Sequence, residues 1–398
     1  MPDTDRDPDA YTLKLCGDIS TVPAEDWDAC AGIANPFICH EFLRILEESG
    51  CASPEAGWAP QHLLLEDPTE RLIGCAPMYL KSHSQGEYVF DHGWANALER
   101  AGGRYYPKLQ MSVPFTPATG PRLLVREGEN EELTRRMLLQ GAEKAALQMG
   151  VSSVHITFPT EAEAMLGREQ DWLFRTGEQF HWVNNGYETF DDFLADLSSR
   201  KRKAIRKERK GALENDIEVE EITGADLNED HWDAFYQFYM DTGSRKWGSP
   251  YLNRTFFSLL GERLGGKVVL MMAKREGRYI AGALNLAGTE TLFGRYWGCV
   301  EDHRFLHFEL CYYRAIDWAI RHGLKRVEAG AQGPHKLARG YLPVTTHSIH
   351  WIANDSFRRA VDEYLEHERR EVQREIDYLS DFSPFRKDGK YQADADEL

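Results

Sequence analysis

The sequence predicts a mixed α/β fold built twice along the chain, and three observations carry that expectation. Two stretches read alike, RLIGCAPMYL at residues 71–80 and RYIAGALNL at 278–286, each a strand following a turn. Each is followed by a polar turn and an aromatic segment read as a strand, Glu87 to Trp94 in one copy and Thr291 to Trp297 in the other. Each copy then offers an amphipathic helix closing at a glycine, Gly150 or Gly323, and a short strand, Ser153 to Phe158 or Lys325 to Gly330. The offset between copies falls from 207 residues at the first strands to 173 at the glycines, so the first copy holds about 34 extra residues, placed at 95–125. Alternating helices and strands suit a mixed sheet covered on both faces.

Taken in order, the first copy opens with a strand at Tyr11 to Cys16, helices near Pro23 to Ala31 and Phe37 to Ser49, and a strand at His62 to Glu66 that turns at Asp67-Pro68. In the helix at 131–150, Leu133, Met137, Leu138, Ala142, Ala145, Ala146 and Met149 recur at helical spacing and form its buried stripe. The second copy repeats the order. A helix runs from Phe190, a strand from Ile217 to Ile222, and helices at Glu229 to Tyr239 and Arg254 to Leu264 lead to a strand at Lys267 to Lys274. A long charged helix, about Ser356 to Tyr378, ends the ordered chain. The expected division is a disordered start at 1–10, a first domain at 11–186, a second at 187–380, and a disordered tail at 387–398.

Composition narrows the class. The 398 residues are 42% hydrophobic, enough for substantial cores, yet no apolar run approaches the roughly 18 residues of a membrane span. The acidic start MPDTDRDPDA is unlike a secretory signal, so a cytoplasmic protein is expected. Seven cysteines without a C-x-x-C pair indicate neither a disulfide framework nor a zinc site. A net charge of −17 argues against a surface that binds nucleic acid as a whole. One local exception stands out, SSRKRKAIRKERK at 198–210, with eight basic residues and one acidic.

Several segments carry a family resemblance: YYPKLQ at 105–110, PFTP at 114–117, SSRKRK at 198–203, and EAGAQGPHKLARG at 328–340. With the doubled element order, they resemble the bacterial FemAB-like predicted N-acyltransferases, relatives of the Fem-type transferases with two tandem GNAT-like acyltransferase domains. The resemblance implies transfer of an acyl or aminoacyl group from an activated donor to an amine acceptor, with no metal and no required cofactor. It also implies a donor site where the two central parallel strands splay, here near 291–298 and 325–330. The donor is left open between acyl-CoA, an acyl-carrier and aminoacyl-tRNA. The glycine-containing pyrophosphate turn of many acetyl-CoA-dependent GNAT enzymes has no counterpart in VEDHRFLH at 300–307, which weakens the case for free acetyl-CoA.

Acyl transfer needs a grip on the donor, a polarised carbonyl and a base for the amine proton. Glu328, near the end of a strand expected to be buried, is the base candidate, with a solvated or Arg326-paired carboxylate as the alternative. In the turn at 330–340, Gln332, His335, Lys336 and Arg339 offer one titratable group and polar or cationic contacts to a donor, unless the turn is only rigid. Arg295 and Tyr296, beside glycines in the aromatic strand, are expected to meet a ligand or to pack a sheet face, Arg295 and Tyr296 on opposite sides. Asp91, with His92, could line a pocket where the copies meet or could serve an ordinary turn. Glu309 fits a helix start, explained by the helix dipole, while Arg245 to Gly248 ends a helix and could bind an anion, although the dipole alone favours cations there. Arg202, Lys203 and Arg206 lie in the basic helix, whose like charges repel at three- and four-residue spacing; they point to a phosphate-bearing ligand such as a nucleotide, a tRNA end or an anionic carrier, with a solvated face as the alternative. Two rivals remain: an aminoacyl-tRNA-dependent transferase acting on a peptide or cell-wall precursor, and a non-catalytic scaffold binding an anionic or nucleic-acid partner.

Overall fold

The computed structural model describes residues 10–246, 250–330 and 333–387. The tails expected to be disordered lie outside these residues but for their innermost positions. The chain divides into two compact units that are interleaved along it: Met1–Gly177 with Thr346–Glu371, and Glu178–Thr345 with Val372–Leu398. No helix among the described residues is long and apolar enough to cross a membrane.

The first unit contains two groups of strands. β1 (Thr12–Cys16), β3 (His62–Glu66), β4 (Leu72–Ala76) and β7 (Leu124–Val125) pair in the order β1-β3-β4-β7, while β2 (Trp58–Pro60), β5 (Met78–Lys81), β6 (Lys108–Met111) and β8 (Ser153–Thr157) pair as β2-β5-β6-β8. The predicted strand at 71–81 is thus two strands, parted at Pro77, which has no N–H to donate to a ladder. Residues 348–352 of the strand Leu342–Ile352 run antiparallel to β8. The helix Glu131–Met149 starts on an Asn130 cap that accepts from the Leu133 amide, ends at left-handed Gly150, and packs Leu138, Leu139 and Ala142 against Leu65, Ile73 and Ile156. Leu133 faces water instead of joining that stripe.

Glu87 to Trp94 is not a strand. Tyr88 has a left-handed φ of 60°, which breaks extension, and the helix His92–Arg100 buries Trp94, Ala95 and Leu98 at helical spacing. The strand expected there is β6, which runs parallel to β8.

The second unit follows the anticipated order closely. β10 (Glu218–Ile222), β11 (Val268–Arg275), β12 (Arg278–Ala287), β13 (Thr291–Cys299) and β14 (Arg326–Glu328) pair in that order, and residues 181–183 of β9 (Leu173–Val183) pair with β14. All neighbours are antiparallel except β13 and β14. The β11 to β12 hairpin turns at Glu276 and Gly277, both at positive φ, as a tight turn of this kind requires. The core gathers Trp182, Phe193, Ile205, Met271, Leu292 and Ile316. The basic segment forms its own helix, Ser199–Ala212, separated from Phe190–Asp196 by Leu197 in an extended conformation.

Candidate active site

In the second unit, β13 and β14 pair through Thr291 with Arg326, Leu292 with Val327 and Phe293 with Glu328, and then part. Gly294 stands where they separate: a Cβ there would lie 3.1 Å from the Glu328 carbonyl oxygen and 3.5 Å from Ala329 Cα. Beyond that point a cavity of about 670 Å³ opens.

A β-bulge shapes its wall. Leu284 faces Tyr296 while Asn285 faces Gly294, so Arg295 is the extra residue of β13. The bulge cancels the alternation expected along this strand, and Arg295, Tyr296 and Trp297 all line the cavity. Arg295 Nη2 stands 3.4 Å from the Tyr296 hydroxyl. Across the cavity stand His307, Tyr312 and His335, where Tyr312 Oη and His335 Nε2 are 2.9 Å apart. Burial first, then the nearby Cys311, push the Tyr312 hydroxyl well above its ordinary range, so it stays protonated and able to donate.

The cavity's carboxylate is Glu178, on β9. Burial, and then repulsion from Glu375, raise its pKa, and Glu178 Oε2 has no hydrogen-bond partner among the described residues. Nothing in the sequence alone marked Glu178. Glu328 is buried behind the splay, its Oε2 3.9 Å from His181 Nε2. Burial, helped by the charges of Arg326 and Lys336, lowers His181 to about 3, so this contact is not an ion pair at neutral pH.

The turn after β14 is a short helix, Pro334–Arg339, whose cations point inward. Lys336 Nζ donates to the Gly330 carbonyl at 2.7 Å, and burial lowers its ammonium to about 8. Arg339 lies 3.4 Å over the Phe308 ring and grips both oxygens of Glu208 at 3.1 and 3.0 Å, fastening the basic helix to the turn. Gln332 and the side chains of Arg245 to Gly248 lie outside the described residues.

Glu309 does not open a helix. It begins a π turn, Glu309–Tyr313, and its fully buried carboxylate accepts from Arg209 and Arg314 at 3.1 and 3.0 Å. Glu208 and Arg209 therefore hold the basic helix inward. Arg206 pairs with exposed Asp191 at 3.0 Å, while Arg202 and Lys203 have no ion pair among the described residues. Charge is thus left on the outer face.

Asp91 belongs to the first unit. It precedes the helix His92–Arg100 and is buried, accepting from the Tyr105 hydroxyl at 2.6 Å and pairing with Lys108. Although burial pushes its carboxyl up, the Lys108 charge and hydrogen bond prevail and hold it well below the usual range. A carboxylate so held is a poor proton acceptor. The glycines of Ala101 to Arg104 follow the C-terminus of the same helix, where the dipole disfavours a pyrophosphate. A larger cavity in this unit, about 830 Å³, is lined by apolar groups such as Phe90, Trp94, Leu98 and Val361, with no acid or base beyond the Tyr364 hydroxyl.

Two parallel strands that part over a cavity, in a unit of this topology, define a GNAT-like fold. The chain matches the model of the FemAB-like family, described as peptidoglycan biosynthesis/recognition, over residues 18–387, and it belongs to that family. Solved structures agree on the fold. FemX is 12% identical with a TM-score of 0.54, over 86% of this chain and 98% of its own. L-PGS from Bacillus licheniformis is 11% identical with a TM-score of 0.50, over 84% and 98%. The C-terminal domain of a putative lysylphosphatidylglycerol synthetase from Agrobacterium fabrum is 10% identical with a TM-score of 0.52, over 86% and 96%. No curated protein matches the sequence.

Proposed function

We propose that the chain transfers an acyl or aminoacyl group from an activated donor to an amine, with the reacting carbonyl held where β13 and β14 part. The observation that carries this reading is the cavity at the end of that parallel pair, lined by one carboxylate, two imidazoles and a protonated tyrosine. In this reading the amine attacks the carbonyl, Glu178 takes the proton it sheds, and the Tyr312–His335 pair returns a proton to the leaving group. Arg295 and Tyr296 grip the donor beside the carbonyl. Lys336 places its cation under the turn, and Glu328 supports the splay from behind.

Aminoacyl-tRNA is the donor we favour. The half-exposed Arg202 and the exposed Lys203 and Lys207 support it, since their charge suits a phosphate backbone. Residues 300–307 lack the glycines of a pyrophosphate turn. An amine-bearing cell-wall precursor is the acceptor class the family description suggests. The test offers acyl-CoA, acyl-carrier and aminoacyl-tRNA in parallel with a peptide amine and follows label transfer. Transfer from aminoacyl-tRNA, weakened steeply by salt and by R202Q/K203Q, supports the reading. Transfer from acyl-CoA alone defeats the donor assignment, and no transfer or binding of any donor defeats the enzyme.

A further inference from the structure

The cavity of about 830 Å³ in the first unit lies between the helix His92–Arg100 and the first turns of the helix Asp355–Ser380. Trp94 and Leu98 line it from one helix and Phe357 and Val361 from the other, each pair four residues apart, so both helices turn an apolar stripe inward. Beside the stripes, Gly93, Ala97, Ala101 and Ala360 line it with little or no side chain, and all four are exposed. The cavity is thus a trough open along its length. From Gly93 to Ala101 the helix rises about 12 Å.

Its two ends differ. At one, Arg175 donates to the Phe90 carbonyl at 2.8 Å and to both oxygens of Glu368 at 2.7 Å, and the Tyr364 hydroxyl donates to Glu368 at 3.0 Å. These bonds tie Phe90 and Tyr364 together and close that end. At the other, the lining residues Ala101, Gly102 and Gly103 are flanked by Arg100 and Arg104, both exposed and without an ion pair among the described residues. Arg100 suits the C-terminal end of its helix, but Arg104 lies beyond the helix and has no such reason. In a chain of net charge −17, these two cations are a second local exception.

We propose that this trough binds a long-chain fatty acid anion, its hydrocarbon tail between the two apolar stripes and its carboxylate at Arg100 and Arg104. The lining selects the tail. Among the described residues no acid or base lines the cavity except the Tyr364 hydroxyl, already given to Glu368, and the Asn354 carboxamide oxygen already accepts from the Phe357 amide at 2.8 Å. A sugar, nucleotide or peptide would leave polar groups unsatisfied against Trp94, Leu98 and Val361, whereas a chain of methylenes has none to satisfy. The ends select the head. Arg100 and Arg104 repel a cation and attract an anion, while Glu368, paired with Arg175, offers an anion nothing, so the chain lies one way round. The half charge that ends the helix His92–Arg100 opposes an anion, but two full cations outweigh it. The volume suits a ligand of this size. The site stands apart from the acyl-transfer reading of the second unit, and either can fail without the other.

The test titrates octanoate, decanoate and laurate, each below its micellar concentration, into the full chain by calorimetry. Affinity should rise about twofold per added methylene, since a half-open trough gives part of the roughly fourfold that full burial gives. Laurate should bind at least tenfold more tightly than dodecyltrimethylammonium, and R100Q/R104Q should weaken laurate about threefold or more while leaving dodecanol unchanged. A97F fills the trough from an exposed position and should weaken laurate at least tenfold; should A97F fail to fold, A360F from the other helix must do the same. No saturable binding of laurate by the wild type overturns the proposal, as does unchanged laurate affinity in a folded A97F or A360F. Dodecyl phosphate binding tenfold more tightly than laurate overturns the carboxylate head, and binding to anionic vesicles without binding of monomeric laurate makes the trough a membrane contact instead.

Discussion

Arg339→Met cuts the fastening between the turn after β14 and the basic helix. The side chains of Arg339 and Glu208 are only 9% and 18% exposed, and the two bonds at 3.1 and 3.0 Å are joined by a third from Arg339 to the His335 carbonyl at 2.6 Å. Breaking a buried pair from one side costs about 3–5 kcal/mol, because the remaining charge is stranded. Water reaching Glu208, and its bond from the Tyr313 hydroxyl, pull the expectation to the lower end, about 3 kcal/mol. Methionine keeps the contact with Phe308, so little packing is lost. At roughly 2–4 °C per kcal/mol for a domain of this size, the melting temperature should fall by about 6–12 °C. The assay is urea and thermal unfolding of wild type, R339M, E208Q and the double variant. The cycle should return a coupling of about 1.5 kcal/mol or more. A loss below about 0.5 kcal/mol with no coupling would show that Arg339 is not committed to Glu208 and is available to a donor.

Three further outcomes are expected. Glu178→Gln should lower kcat by about 10²- to 10⁴-fold with donor affinity intact, and wild-type turnover in that variant removes Glu178 from the mechanism. Burial lowers His155 to about 3 and holds His350 well below its ordinary value, so both remain neutral in the fold at pH values where the unfolded imidazoles, near 6.5, are charged. Stability from these groups is therefore present above pH 6.5 and lost as pH falls, by at most about 1.4 kcal/mol per pH unit for each, and unfolding curves that stay level between pH 7 and 5 would contradict it. Gly298→Ala places a Cβ 2.3 Å from the Phe238 carbonyl oxygen, a backbone atom that cannot swing away, and should cost about 3 kcal/mol. A variant as stable as wild type would mean the helix Glu229–Lys246 does not approach β13 so closely.

The second unit was the more legible because its signals are local. The hairpin at Glu276-Gly277 and the amphipathic run closing at Gly323 each declare themselves within a few residues. Glu87 to Trp94 misleads because its aromatics fit either period, and the decision belongs to the left-handed Tyr88 and to the burial of Trp94 and Leu98. The strand Leu342–Ile352 was not anticipated: its partner β8 lies some 190 residues earlier, and no nearby turn announces the pairing. Without β9 as a strand there was no way to place Glu178 in the cavity. Arg295 was singled out, but its bulge exists only in the register with β12. The tie of Arg339 is not legible in the sequence, because its partner, Glu208, sits 131 residues away on a helix whose charge is otherwise mostly positive.

The central claim, that the reacting carbonyl lies where β13 and β14 part, is tested most directly by a donor that marks its own site. Benzoylphenylalanyl-tRNA carries a photoreactive group on the transferable acyl moiety, and irradiation with the full chain followed by peptide mapping reads the contact. The account predicts labelling within Arg295 to Trp297 and Tyr312, lost when unlabelled aminoacyl-tRNA competes. Competed labelling confined to other segments, with the cavity residues untouched, would contradict it.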